Sequence, residues 1–249
     1  MQRRFFVLGG CVLIGGAALA YGLDRAPGYG VSIDYRQLLR MPPAANSAQA
    51  LAERAGFADT ARAIGGARWQ QASRQIFPSG PYVAAEIACA AGVQVSASPA
   101  AQRLLRNAVT DLSRPVEAAK SAFGRDRPYV GAVNAHTCDP RTLGSIGGST
   151  GGVLSHAYPS GHAAQGRLVA NVLAAALPGR AAALAAWGDR LGANRIVCRV
   201  HWPSDVAAGR RLGDAMFGAL QANPAFRADL VAARAELARA PAATNCPAR

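Results

Sequence analysis

From about residue 48 to residue 240 the apolar residues of this chain recur at helical spacing, and runs that alternate like strands are almost absent. A chain patterned in this way buries one stripe per helix and has no period of two from which to build a sheet. The punctuation agrees: Ser98 precedes Pro99 and Asn223 precedes Pro224, each an N-cap followed by a first-turn proline. The spacing predicts helices over 48–74, 82–91, 99–123, 163–177, 180–194, 203–221 and 224–239, the third bent at Pro115. The fold class expected is all-α, a single compact helical domain at 48–240 without internal repeats. A Gly-, Pro- and Asn-containing lead-in at 21–47 precedes it and a tail at 241–249 follows, loose unless Cys246 ties it down. With 249 residues, 51% of them apolar, the chain is long enough for a full core. The main irregular stretch, 125–160, contains GSIGGSTGG and is where a site is expected.

The formal charge is +13, and of the 27 basic residues only Lys120 is a lysine. No basic run is interleaved with aromatics, so nucleic acid is not expected as a specific partner, and anionic small molecules and membrane surfaces remain. Arg3 and Arg4 open the apolar run FFVLGGCVLIGGAALA, which closes on Ala18-Leu19-Ala20. A charged start, an apolar middle and a small-x-small ending make residues 1–20 a signal peptide for export to the periplasm, with the paired arginines pointing to a twin-arginine route. The alternative for the same residues is an uncleaved anchor. Once the signal is cleaved no stable membrane insertion is expected. Cys89, Cys138, Cys198 and Cys246 then remain, an even number that in an exported protein suggests two disulfides with three pairings open. Their spacing fits no zinc pattern, and no metal site is expected.

Four polar features stand against the helices. Lys120 is followed after six residues by Arg127-Pro128; Pro159-Ser160-Gly161-His162 comes next; then Arg195 is followed after five residues by His201 and after three more by Asp205. Three cations suit a phosphoryl dianion, since guanidinium forks match its oxygens. A Ser-Gly turn opening a helix adds hydroxyl and backbone donors. With Pro203 first in the next helix, Asp205 falls third and reaches back to His201, fixing its tautomer. His162 is left as a proton donor. Singly, each of these residues is ordinary: Lys120 a solvated helix residue, Arg127 and Arg195 surface charges, Asp205 a first-turn acid, and Ser160 an N-cap, as Ser79 is in the earlier FPSGP. Their order and spacing are not.

K-x6-RP, PSGH and R-x5-H-x3-D together resemble the three-part signature of the phosphatidic acid phosphatase type 2 (vanadium haloperoxidase-like) superfamily, and within it the bacterial class A non-specific acid phosphatases. The resemblance covers roughly residues 40–239, with 30 residues between Pro128 and Pro159 and 32 between His162 and Arg195. It implies a helical fold of the superfamily's kind and an exported, metal-independent acid phosphatase of broad range, without cofactor, acting on phosphate monoesters through a phosphohistidine. It further implies His201 as nucleophile, Asp205 as its orienter and His162 as acid and then base. Lys120, Arg127, Ser160, Gly161 and Arg195 would hold the phosphoryl oxygens. The same resemblance favours a Cys138–Cys198 bridge, leaving Cys89 to Cys246. Departures are Asn194 where the family often has serine, and His156-Ala157 and Ala163 where it has Gly-Ser and Thr. The partners expected are phosphomonoesters, with a homo-oligomer left open.

Other readings use some of the same residues. A vanadium-dependent haloperoxidase or a lipid-phosphate phosphatase would share the anion site, but the first is usually much longer and the second generally polytopic. Gly147-x-Ser149-x-Gly151 fits a serine-hydrolase elbow, yet sits in a glycine-rich loop rather than between strand and helix. A simple anion-binding protein needs the cations but not a His-Asp pair and a second histidine.

Overall fold

Ser98 and Asn223 cap as their neighbours dictate. The Ser98 side chain accepts from the Ala101 N–H at 3.0 Å, and Asn223 Oδ1 accepts from the Phe226 N–H at 3.0 Å. The computed structural model describes residues 26–132, 135–142 and 156–247, and within them the chain folds into helices. In order these are α1 (Tyr35–Leu38), α2 (Ala48–Asp59), α3 (Ala67–Arg74), α4 (Pro81–Ala91), α5 (Pro99–Phe123), α6 (Gly161–Ala176), α7 (Ala181–Val197), α8 (Pro203–Gln221) and α9 (Pro224–Leu237). Among the described residues the nearest thing to a sheet is one isolated bridge between Val93 and Ala242. The all-α reading therefore holds. The expected signal at 1–20 and the Gly147-x-Ser149-x-Gly151 elbow lie outside the described residues.

One predicted helix is two. The stretch 48–74 divides into α2, a 3-10 turn at Thr60–Ala63 and α3, because Gly65 takes a left-handed φ of 77° and Gly66 becomes the N-cap of α3. The predicted helix through Pro115 runs unbroken as α5 and ends where Gly124, at φ 57°, supplies a left-handed cap. In FPSGP the N-cap of α4 is Gly80 rather than Ser79, with Pro81 in the first turn.

The core follows the periodicity. On α5, Leu104, Ala108, Leu112 and Val116 recur every four residues and are all buried. They share one cluster with Leu168, Val172 and Leu173 of α6, Leu184 and Leu191 of α7, and Leu212 and Met216 of α8. Burying a leucine in this way is worth about 1.5–3 kcal/mol. Helix α6 lies between α7 and α8 and packs most extensively against both. The approach is close because small residues face each other: a Cβ added at Gly188 would stand 2.6 Å from the Gly166 carbonyl oxygen, and one at Gly213 2.5 Å from that of Ala164. Gly209 meets the Ser160 carbonyl so tightly that an added Cβ would overlap it.

Both ends of the described chain are tied in. The Tyr29 and Val31 N–H groups donate to Asp111 Oδ2 of α5 at 2.9 and 3.2 Å, and the Tyr29 hydroxyl donates to Asp229 of α9 at 2.7 Å. After α9, the Gln94 N–H donates to the Pro241 carbonyl at 2.8 Å, and a Cys89–Cys246 disulfide joins the tail to α4. A second disulfide, Cys138–Cys198, anchors the segment before α6 to the end of α7. No helix among the described residues is long and apolar enough to cross a membrane.

Candidate active site

Ser160 begins the site as an N-cap. Its side chain accepts from the Ala163 N–H at 3.4 Å, which starts α6 at Gly161 and sets that helix's first residues against the cavity described below. The turn before it contains a cis Tyr158–Pro159 peptide. Its position is fixed from the side of α8, for the Ser160 N–H donates to the Asp205 carbonyl at 2.9 Å.

Helix α7 ends at Val197, and Cys198-Arg199-Val200 carries the chain to His201. Arg199 holds that bend with a left-handed φ of 65°. Its buried guanidinium donates to the carbonyls of His136 and Phe57 and to the Thr60 hydroxyl, each at 2.9 Å, and lies over the Phe57 ring at 3.9 Å. Pro203 then opens α8, which puts Asp205 in the first turn. Asp205 Oδ2 accepts from the Trp202 N–H at 2.8 Å and stands 3.3 Å from His201 Nδ1. On the other side of the imidazole, Arg127 Nη1 lies 3.3 Å from His201 Nε2. A guanidinium can only donate, so Nε2 carries the lone pair and Nδ1 the proton.

The electrostatics favour that state. Burial, and after it the charges of Arg127, Lys120 and Arg195, push the His201 pKa well below its usual value, so the ring is neutral. Burial raises the Asp205 pKa, against the opposing pull of Arg125. Lys120 is buried near the C-terminal end of α5, with its Nζ donating to the His156 carbonyl at 2.6 Å. Burial and the Arg127 charge draw its pKa down to about 8.

These groups line a single cavity of about 250 Å³. Lys120, Arg127, Gly161, His162, Arg195 and His201 all border it, although they come from α5, the segment after it, α6, α7 and the α7–α8 turn. Of the residues expected at the site, Ser160 lies beside Gly161 as the helix cap and Asp205 beyond His201. Arg127 Nη1 also donates to the Val200 carbonyl at 2.9 Å, and Arg195 Nη2 donates to the Ala72 carbonyl of α3. His162 Nε2 is 3.1 Å from the Gln75 carbonyl. Such a cavity can hold a compact dianion against three cations and a helix N-terminus, with an imidazole lone pair at one side. Ile76, Pro78, Leu112 and Val116 add an apolar side to the wall, and Ser113, Glu117 and Gln165 add further polar groups. Pro78 of FPSGP thus borders the cavity, although that segment reads in the sequence as a mere turn.

The sequence reading missed the support behind Asp205. Arg125 donates from Nη1 to Asp205 Oδ1 at 2.6 Å and from Nη2 to Glu53 Oε2 of α2 at 2.7 Å. Glu53 Oε1 in turn accepts from the Ser204 N–H at 2.8 Å, closing a ring of contacts around the first turn of α8. Asp139, buried next to Cys138, also lines the cavity. Among the described residues no group of three His, Cys, Asp or Glu side chains comes together in a way that could hold a metal ion.

Comparison with known proteins gives the same site a context. A family model described as "PAP2 superfamily" matches residues 100–225, which contain every one of the cavity's charged and histidine groups named above from Lys120 to His201. A non-specific acid phosphatase of Salmonella typhimurium is 36% identical over 176 residues, covering 70% of this chain and 68% of that protein. An acid phosphatase of Zymomonas mobilis is 30% identical over 211 residues, 84% of this chain and 77% of that protein. A non-specific acid phosphatase of Providencia stuartii is 29% identical over 213 residues, 84% and 82% of the two chains.

Proposed function

Because the chain belongs to the PAP2 superfamily and is an acid phosphatase of it, we propose that it hydrolyses phosphate monoesters of broad range through a phosphohistidine at His201, without a metal ion. The observation that carries this reading is the His201 ring itself. It is buried among three cations, with Nδ1 toward Asp205 and the lone pair of Nε2 on the side where Arg127 lies.

In the first step Nε2 attacks phosphorus while the bond from phosphorus to the ester oxygen breaks. Lys120, Arg127, Arg195 and the Ser160–Gly161 donors take up the charge on the three phosphoryl oxygens. His162 passes its proton to the departing alkoxide, and Asp205 balances the positive charge that grows on His201. In the second step a water gives its proton to His162 and its oxygen to phosphorus; the N–P bond breaks and phosphate leaves. Three fixed cations supply the charge stabilisation that a metal provides in other phosphatases. Export to the periplasm through residues 1–20 goes with this reading, and two disulfides suit an oxidising compartment.

The test is hydrolysis of an aryl phosphate with EDTA and with vanadate, followed by acid-labile trapping of labelled phosphate on the protein. Activity that survives EDTA, falls with vanadate and yields a label absent from His201→Ala is expected. His201→Ala itself loses on the order of 10⁴-fold in kcat. Loss of activity in EDTA, or full turnover in His201→Ala, would remove the mechanism.

A further inference from the structure

We propose that Gln75 is a positioning residue for His162, and that the buried carboxylate of Glu86 holds Gln75 in place. The inference rests on His162 being the proton donor to the leaving group.

Gln75 is the C-cap of α3, with a φ of −97° and a ψ of 12°, so its carbonyl lies at the helix end beyond the intrahelical ladder. That carbonyl faces His162 Nε2 at 3.1 Å. A carbonyl only accepts, so the contact requires a proton on Nε2 and fixes which way the ring is turned. One turn earlier on the same helix the Ala72 carbonyl accepts from Arg195. The last turn of α3 is therefore a wall that touches both the proposed acid and one of the phosphate-binding cations.

The side chain of Gln75 keeps this wall still. It is 1% exposed, and its Nε2 donates to both oxygens of Glu86, at 2.9 and 2.7 Å. Its Oε1 accepts from Asn194 Nδ2 at 2.9 Å. The amide has one orientation: turned over, its oxygen would face a carboxylate and its NH₂ a donor. Gln71, one turn before on the same face of α3, repeats the pattern. Its Nε2 donates to Glu86 Oε1 at 2.8 Å, and its Oε1 lies 3.3 Å from Asn194 Nδ2. Asn194 is the neighbour of Arg195, and Arg68 Nε donates to Asn194 Oδ1 at 3.1 Å. Glu86 of α4 thus joins α3 to α7 through two glutamines and an asparagine, at the position where the resembled family often has serine. Because the links among Glu86, Gln71, Gln75 and Asn194 are hydrogen bonds between buried or half-buried groups, removing one leaves its partner unsatisfied and the wall free to shift.

A positioning role for the acid predicts a leaving-group signature that a purely structural role does not. An alkyl phosphate needs the proton, whereas 4-nitrophenyl phosphate releases a stable anion and needs it far less. Reference values come from His162→Ala, in which kcat on the alkyl ester is expected to fall by about 10²–10⁴-fold and that on the nitrophenyl ester much less. In Gln75→Ala and Glu86→Ala the alkyl ester is expected to lose at least about tenfold more than the nitrophenyl ester. Glu86→Gln retains the volume and one acceptor, restores part of the loss, and keeps the test available if Glu86→Ala does not fold. Equal losses on both esters, or no loss on either, beside a selective His162→Ala would overturn the role of Gln75 and leave the acid in place. A non-selective His162→Ala would remove the acid, and the proposal with it.

Discussion

At the scale of single residues the cavity depends on charges kept where charge is costly. Lys120 is the sharpest case, an ammonium 4% exposed whose pKa burial and Arg127 lower to about 8. Below pH 8 the empty site presents it charged; above pH 8 it goes neutral and one of the cations lining the cavity is lost. A bound dianion favours the charged form, so protonation and anion binding reinforce each other. The inhibition constant for inorganic phosphate is therefore expected to weaken above pH 8, by up to about tenfold per pH unit. Lys120→Met should bind more weakly and lose this limb. An affinity that stays constant in the unaltered protein from about pH 7 to about pH 9.5 would mean that Lys120 does not meet the anion. His201 works at the other end of the scale. Its lowered pKa keeps it neutral on the acid side, where an ordinary imidazole would already hold a proton. These named residues were legible in the sequence because their spacing is fixed by local rules: a helix end, a Ser-Gly cap, a proline in a first turn. Arg125 and Glu53 were not. They are 72 positions apart, and only the packing of α2 beside the α7–α8 turn makes them a pair.

At the scale of elements, what assembles the site is the close approach of α6 to its neighbours. Gly209 of α8 faces the Ser160 carbonyl, and the Ser160 N–H answers with a bond to the Asp205 carbonyl at 2.9 Å. The turn bearing His162 and the turn bearing His201 are thus in direct backbone contact. Gly209→Ala is expected to separate them, because the obstacle is backbone and cannot rotate away. Overpacking of this kind costs about 1–3 kcal/mol, read as a lower denaturant midpoint. The same variant should lose phosphate affinity, whereas Gly218→Ala, in open space on the same helix, should keep the affinity and hold or raise the midpoint. A Gly209→Ala protein with normal affinity and stability would show that the contact is not a constraint. The helices themselves were legible from periodicity and caps. The division of 48–74 was not read, although Gly65-Gly66 was its signal, because an Ala- and Arg-rich stretch hides a break that only a positive φ reveals. The wall formed by α3 was equally hidden. Gln71 and Gln75 share a face by their spacing, but nothing local says that the face meets Glu86 and Asn194.

At the scale of the molecule, a formal charge of +13 on 249 residues gives the surface a field that draws anions toward a cavity already lined by cations. The two disulfides bear on a different property. Cys89 pairs with Cys246 across 157 positions, and Cys138 with Cys198 across 60, so both bridges span every peptide bond between residues 138 and 198. A single backbone cut in that interval would yield two pieces that stay joined twice. For a cut before Arg195, Lys120 and Arg127 would sit on one piece, and Arg195 and His201 on the other. A preparation nicked once there by a protease should run as one band without reductant and as two with it. It should also keep its turnover until the bridges are reduced. The bridges act as insurance against the first cut.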